Sequence, residues 1–389
     1  MLQIIMKILV IGTIDNKGGA ALISWELRKK LRAAGHTVTT FVRYKYSGEP
    51  DVFIIPRKRY QDWLVKLFAN DLMFAWTDYL LETKEFKEAD IVHCHNLHSN
   101  FFDLKTLQKM SLQRPLIWTL HDMWAFTGFA SDSATLKNPN KKKFLLFLWD
   151  NTSRLLRIKK KIYEKSKLHI VAVSEWLKKE VQKSVLGNQS ITRIYNGIDT
   201  EIFKPYDKTL ARKELGLPLD KKIVACGIKG WVDSNKIIDD YAGRDDIFFA
   251  AIGHSNIQTK NKNFTHFPYT ENKKLLCLYL SAADVFLYPT PGDSFGLISA
   301  ESLSCGTPVV TYNIDALPEI VSHKETGYVA EYENLNDAKN GIEYILNLSK
   351  DNYALMSAKA RERIASNFSR EKMCAEYLVL YKKILEKRI

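Results

Sequence analysis

The chain has 389 residues, 46% of them hydrophobic and 26% charged, with a formal net charge of +13. That length exceeds the size at which one core usually stops growing, so two domains are expected. The composition excludes collagen-like, disordered and disulfide-framework classes, and no run approaches the ~20 apolar residues of a membrane span.

The start, Met1 to Val10, carries one lysine and runs directly into a strand, so it is read as part of the fold and not as a signal peptide. Residues 7–12 (KILVIG) form a continuous apolar run suited to a parallel strand buried on both faces. A loop with Gly18 and Gly19 follows, then a helix with Ala21, Ile23, Leu27 and Leu31 on its apolar face. The glycine pair lets a sugar or diphosphate approach the backbone, and equally suits an ordinary tight turn. Further strands are expected at 38–42, 90–94, 116–120, 169–173 and 192–195, with Ser174 as the N-cap of a helix. His121 follows a strand at its carboxyl end, where open α/β sheets bind ligands, although a core histidine is the plain alternative. His95 and His98 follow another strand end.

Between Lys137 and Lys167 stand eleven Lys and Arg against Asp150 and Glu164, and residues 141–149 (KKKFLLFLW) join a basic cluster to bulky apolar residues. This pattern suits resting on an anionic membrane surface, or a helix with a solvated basic face. The stretch 196–205 has no helical period and reads as a link. A second βα series then starts at 222–226 and continues at 247–253, 285–288, 308–311 and 327–330, and 335–387 is helical by pattern. Two βα series imply an α/β chain of two doubly wound, Rossmann-like domains facing across a cleft, with a helical C-terminal tail. Cys94, Cys226, Cys277, Cys305 and Cys374 are scattered without CxxC spacing and read as reduced, mostly buried thiols of a cytosolic protein. No His, Cys or carboxylate cluster has metal-ligand spacing.

The most informative segment is 288–310, YPTPGDSFGLISAESLSCGTPVV. It reads as a buried strand, a Pro/Gly loop, a helix opening near Phe295, then Gly306 and another strand. A helix that opens after such a loop points unpaired N–H groups outward. Asp293 and Glu301 are eight residues apart, a little over two helical turns, so both can face one crevice.

This segment resembles the paired-acid signature of the retaining GT-B glycosyltransferases of family 4. The resemblance covers nearly the whole chain and is closest to bacterial enzymes of capsular, exopolysaccharide and lipopolysaccharide synthesis. Gly18 to Ala21, residues 90–95 (DIVHCH), 118–124 (WTLHDMW), 196–199 (NGID), 280–284 (LSAAD) and 316–321 (ALPEIV) match its landmarks in order. It implies the GT-B fold, with residues 1–203 as the acceptor domain, 204–370 as the nucleotide-sugar donor domain and 371–389 as a helix returning to the first. It implies Asp293 with the amides of Phe295, Gly296 and Leu297, beside Ser294, on the donor sugar, and Glu301 on the ribose. Gly18 and Gly19 would complete the donor site, and His121 would sit near the reacting carbon. His95, Asp122 and Trp124 would meet the acceptor. No cofactor or metal is implied; the nucleotide-diphosphate sugar is a co-substrate, and lysines stabilise its leaving group.

Three departures stand out. The family places an Arg and a Lys after the first strand of the second domain; here Lys236 suits the lysine, the arginine is absent, and Lys229 is the nearest cation. Lys does not reproduce the bidentate grip of Arg. The first acid is Asp where Glu is commoner, and the cysteine-rich insert of many relatives after Gly128 is missing. The implied reaction is retaining transfer from a nucleotide-diphosphate sugar to a hydroxyl of a glycan or lipid-linked glycan, without nucleic acid as partner. It would take place in the cytoplasm, peripherally on the inner membrane through 137–167. The alternatives are a nucleotide-sugar 2-epimerase and a degenerate donor-binding member without turnover. A dehydrogenase is disfavoured because no GxGxxG follows the first strand.

Overall fold

The computed structural model describes residues 5–57, 60–61, 63–64, 72, 75–137, 152–228, 233–253 and 259–386. The chain divides into two compact units, the first comprising residues 1–195 and 373–389, the second residues 196–372. The boundaries differ by a few residues from those read in the sequence, since 196–203 and 371–372 group with the second unit.

The first unit is built on β1 (Lys7–Ile14), β2 (Thr37–Tyr44), β3 (Val52–Ile54), β4 (Ile91–Cys94), β5 (Leu116–Leu120), β6 (Leu168–Ala172) and β7 (Ser190–Arg193). They form one sheet in the order β3-β2-β1-β4-β5-β6-β7, and every neighbouring pair is parallel. The sheet reverses its winding between β1 and β4, the switch point at which such sheets open a crevice. Its central strands are apolar on both faces, and Ile8, Ile11, Ile91, Val92, Ile117 and Val171 are essentially inaccessible. The named helices of this unit begin with α1 (Gly19–Ala33), α2 (Leu104–Gln113), α3 (Thr152–Tyr163) and α4 (Glu175–Gln182). Helix α4 is capped by Ser174, whose hydroxyl accepts from Leu177 N–H.

The second unit carries β8 (Lys222–Ile228), β9 (Ile247–Gly253), β10 (Phe264–Pro268), β11 (Val285–Tyr288), β12 (Val309–Tyr312) and β13 (Gly327–Ala330) in the all-parallel order β10-β9-β8-β11-β12-β13. Helices α5 (Lys208–Glu214), α6 (Asp233–Asp240), α7 (Lys273–Ala282), α8 (Leu297–Ser304), α9 (Leu335–Leu346) and α10 (Lys350–Asn367) accompany it. The last helix, α11 (Arg370–Glu386), begins in the second unit, and from Met373 onward belongs to the first. There Tyr377 and Tyr381 are fully buried, and their hydroxyls meet Thr119 Oγ1 at 2.8 Å and His93 Nδ1 at 2.7 Å.

All five cysteines are buried and carry free thiols. Among the described residues no helix is long and apolar enough to cross a membrane. The cluster at Lys141, Lys142 and Lys143 and the apolar run after it lie outside the described residues. The part of the basic window that is described folds as α3. Its Leu155, Ile162 and Tyr163 face the core while Arg154, Arg157, Lys160 and Lys161 are exposed.

The segments that lead out of the second unit are bound to each other. Ile198 bridges Ser369, with Ile198 N–H donating to Phe368 O at 2.8 Å and Arg370 N–H to Ile198 O at 2.9 Å. Asp199 closes the turn by accepting from Glu201 and Ile202 N–H, and its second oxygen pairs with the Arg370 guanidinium. Both side chains of that ion pair are largely sheltered, 14% and 7% exposed. Removing one member of such a pair strands the other charge. Arg370→Ala is therefore expected to lower stability by ~3 kcal/mol in urea unfolding. An unchanged midpoint would show that solvent screens Asp199.

Candidate active site

In the second unit the site grows from the carboxyl end of β11, where the chain can no longer be satisfied by sheet bonds. Asp293 solves the backbone problem of the loop. Its Oδ1 accepts from Phe295 N–H at 3.0 Å and Gly296 N–H at 2.8 Å, and its Oδ2 accepts from the Tyr288 hydroxyl at 3.0 Å. Burial and this carboxylate push the Tyr288 phenol well up, so it stays a donor. Gly296 has φ 89°, a conformation that favours glycine at the turn into α8. The helix opens at Leu297, two residues later than the sequence suggested.

This geometry revises the expected donor contacts. The amides of Phe295 and Gly296 are taken by Asp293 itself and do not point outward. The first-turn amides from Leu297 onward have no intrahelical acceptor. Phe295 is buried against Phe368, whereas Asp293, Ser294 and Leu297 are half-buried. Asp293 keeps one lone pair on Oδ2.

Glu301 lies on α8, half-buried, beside α7. No hydrogen bond to its carboxylate occurs among the described residues. Burial raises its pKa from 4.5 to about 8; the charge of Lys273 on α7 opposes that rise and Cys277 adds to it. The Cys277 and Cys305 sulfurs are 3.5 Å apart on the same helix pair. Lys273 escaped the sequence reading, although Asn272, which caps α7 by accepting from Lys274 and Leu275 N–H, marks where that helix begins. Lys236 is exposed on α6. Lys229 lies outside the described residues.

In the first unit three histidines sit at the ends of β4 and β5. His93, inside β4, is saturated by Tyr381 and by Thr119 at 2.8 Å, and burial lowers its pKa to about 3. His95 and His121 stack with centroids 5.3 Å apart and share a hydrogen bond between His95 Nδ1 and His121 Nε2 at 3.0 Å. Burial, then the neighbouring imidazoles, hold His95 well below 6.5. Burial brings His121 to about 4 against the pull of Asp122, with His98 lowering it further. Both rings are therefore neutral at pH 7. A neutral ring carries one N–H, so sharing one bond leaves the outer nitrogens as one donor and one acceptor. Those outer atoms, His95 Nε2 and His121 Nδ1, are buried without a partner among the described residues.

Asp122 accepts from Trp124 N–H at 2.9 Å and pairs with His98 Nε2 at 3.1 Å. Trp124, expected to meet the acceptor, is largely buried. Only 4% of it is exposed, the Lys159 ammonium lies 4.1 Å over its ring, and Lys159 also donates to Trp124 O and Thr127 O. The indole packs in the interior, and its π-face together with the two carbonyls stabilises the buried ammonium.

Gly18 and Gly19 lie on the wall of a pocket of about 250 Å³ at the switch point of the first sheet. Gly18 has φ 82° and stands as N-cap of α1 without a side-chain cap, leaving first-turn amides open. His95 and His98 line the same pocket; His121, Asp122 and Trp124 do not.

The comparisons with known proteins agree with this geometry. Residues 17–202 match the profile described as Glycosyltransferase Family 4, and residues 254–363 match Glycosyl transferases group 1. This chain belongs to the GT-B glycosyltransferases of family 4. It is similar to an N-acetyl-alpha-D-glucosaminyl L-malate synthase of Bacillus anthracis, 23% identical over 95% of this chain and 94% of that one. Its fold is similar to sucrose-phosphate synthase from Thermosynechococcus elongatus, at TM-score 0.71 and 19% identity, covering 98% of this chain and 100% of the other. It is also similar to Anabaena HepE in complex with UDP and glucose, at TM-score 0.72 and 16% identity, covering 97% and 100%. The chain is thus an enzyme that transfers glycosyl groups.

The raised pKa of Glu301 has a measurable consequence. The folded state holds that proton more tightly than the unfolded chain, so stability falls as pH rises from about 4.5 to about 8. Glu301→Gln keeps the neutral shape and removes the titration. The variant is expected to melt ~3 °C or more above the parent at pH 8.5 and to match it near pH 4.5. Parallel melting curves across that range would place the carboxyl in water.

Proposed function

We propose that the enzyme is a retaining glycosyltransferase that moves a sugar from a nucleotide-diphosphate sugar to a hydroxyl of a glycan or lipid-linked glycan in bacterial surface polysaccharide synthesis. The observation that carries this reading is the β11–α8 segment, where an acid-organised loop opens a helix that bears a second, neutralised acid. The UDP and glucose named with the Anabaena neighbour support a nucleotide-sugar donor.

In this reading the ribose lies on Glu301, whose protonated form donates to one hydroxyl while its carbonyl oxygen accepts from the other. The donor sugar takes the remaining lone pair of Asp293 Oδ2 and the first-turn amides of α8, beside Ser294. Negative charge developing on the departing β-phosphate is met by Lys236, with Lys229 in the place of the absent arginine, and no metal is invoked. Gly18 and Gly19 bring open amides to the same diphosphate. His121, neutral and positioned by His95, would sit near the reacting carbon, with its outer nitrogen able to bond a hydroxyl. Asp293 already spends three of its four lone pairs on the protein, which disfavours it as a covalent nucleophile. Same-face attack is favoured, with the leaving phosphate oxygen taking the acceptor proton.

The exposed basic face of α3 supports a peripheral position on an anionic membrane on the cytoplasmic side. Flotation with vesicles containing anionic lipid should recover the protein, and neutral vesicles should not. Equal recovery removes the membrane from the proposal.

The direct experiment pairs a panel of nucleotide sugars with product analysis. One donor should raise the melting temperature by mass action and yield a new glycoside with the donor's anomeric configuration. Glu301→Ala or Lys236→Ala should lower kcat/KM by ~10²-fold. Isomerised sugar nucleotide without a glycoside would indicate the 2-epimerase, and variants with unchanged activity would indicate a degenerate site.

A further inference from the structure

Helices α7 and α8 bring two thiols together beside the Glu301 carboxyl. Cys277 Sγ and Cys305 Sγ are 3.5 Å apart, a contact between residues 28 positions apart in the chain. Cys277 lies inside α7 and Cys305 is the C-cap of α8, and both are buried, at 7% and 4% exposed. The fold has already brought the ends of this loop together, so a bond between the sulfurs costs little further chain entropy.

The two thiols are not equivalent. Cys305 S–H donates to Cys277 and lowers its pKa from 9.0 to about 6 against the effect of burial, with the charge of Arg361 adding to the fall. Burial, then the bond to Cys277, holds Cys305 well above 9.0. One sulfur thus reaches the thiolate form near neutral pH while its neighbour keeps a proton. The thiolate is the nucleophile that peroxides oxidise. Cys94 and Cys226 are fully buried and burial raises both, Cys226 to about 12, which makes them inert by comparison.

What surrounds the pair gives its closure a consequence. Cys305 N–H donates to Glu301 O at 3.1 Å, so the acid stands one helical turn before the thiol, and Cys277 contributes to the raised pKa of Glu301. In its protonated form Cys277 donates to Lys204 O at 3.3 Å, and Ser304, next to Cys305, donates to Phe203 O at 2.6 Å. Drawing the two sulfurs into a bond pulls on the end of α8 that carries Glu301, and it removes the thiol donor from Lys204 O.

We propose that Cys277 and Cys305 are a peroxide-sensitive dithiol whose closure to a disulfide displaces Glu301 and weakens nucleotide binding. The nucleotide effect rests on the reading of Glu301 as the ribose ligand; the thiol chemistry stands apart from it. The Cys277 thiolate attacks one oxygen of hydrogen peroxide, the O–O bond breaks, and the departing hydroxide takes a proton from solvent to leave as water. The Cys305 sulfur then attacks the resulting Cys277 sulfenic acid. The S–O bond breaks, and the hydroxyl leaves as a second water with the Cys305 proton. The two sulfurs together give up the two electrons that the peroxide gains.

The test treats the full chain with hydrogen peroxide and maps its peptides by mass spectrometry without reduction. A Cys277–Cys305 cross-linked pair should form while Cys94, Cys226 and Cys374 stay as thiols. Cys305→Ser keeps a hydroxyl donor beside Cys277, so Cys277 should stop at the sulfenic acid and be trapped by dimedone. Cys277→Ser should leave Cys305 unmodified. By titration calorimetry, UDP affinity should fall ~10-fold on oxidation, the loss of about one hydrogen bond, and return with dithiothreitol. In Cys277→Ser the same peroxide treatment should leave UDP affinity where it was. The proposal is overturned by any of three results: both thiols free in excess peroxide, a disulfide that uses another cysteine, or a Cys277–Cys305 disulfide without change in the UDP affinity of the reduced protein. Reduced protein that binds no UDP counts against the ribose reading and the nucleotide effect with it, while the peptide map still decides the disulfide.

Discussion

A strand buried on both faces can offer a ligand almost nothing along its length, and this constraint arranges the whole molecule. Both sheets are parallel throughout, and most of their buried polar side chains are satisfied internally or displaced to the strand ends, Thr40 Oγ1 inside β2 being an exception. The contrast is visible within three residues of β4. His93, inside the strand, is closed off by Tyr381 and Thr119. His95, one residue beyond the strand's end, shares a bond with His121 and keeps an unpartnered nitrogen. Thr119 follows the same rule in β5, where Tyr377 answers its hydroxyl, while His121 just past the strand keeps one atom open. The chemistry of each unit therefore gathers where the sheet stops.

Burial also decides the charge state of these groups. The imidazoles of His95 and His121 lose their protons because a cation there would be desolvated, and Glu301 keeps its proton for the same reason. Neutral donors and acceptors suit hydroxyls, which can exchange hydrogen bonds with them without desolvating an ion. Lys273, the cation whose charge acts on Glu301, is half-buried.

The central strands were legible because a doubly buried strand must be largely apolar, and 116–120, 247–253 and 285–288 match the observed bounds, as does 327–330 in the edge strand β13. Two of the edge strands, β3 and β10, were not. β3 has only three residues, two of them exposed, and β10 (FTHFP) is half-exposed with no alternation, so neither carries the burial signal that marks a strand. The two acids and the glycine turn could be read because their spacing along the chain is itself the geometry. Trp124 could not, since the lysine that covers it lies 35 residues away. The pocket at the first unit's switch point was equally hidden, because no local pattern links Arg28 on a helix to Thr40 on a strand twelve positions later and His95 beyond it.

The substitution of Asp for the commoner Glu at position 293 now has a physical content. An aspartate can turn back on its own chain and accept from the amides two and three residues ahead, as it does here with Phe295 and Gly296. One more methylene would carry the carboxylate past those amides and leave them to a ligand or to water. The shorter acid therefore holds the loop through its own amides and keeps a single lone pair free. Tyr288 adds to the same end by holding the second oxygen from the buried strand. These bonds fix the loop as it enters α8. The same economy bears on the missing arginine. A lysine cannot match its bidentate grip, so the donor reading proposed above leans more on the amides of the β11–α8 turn, whose loop Asp293 holds in place.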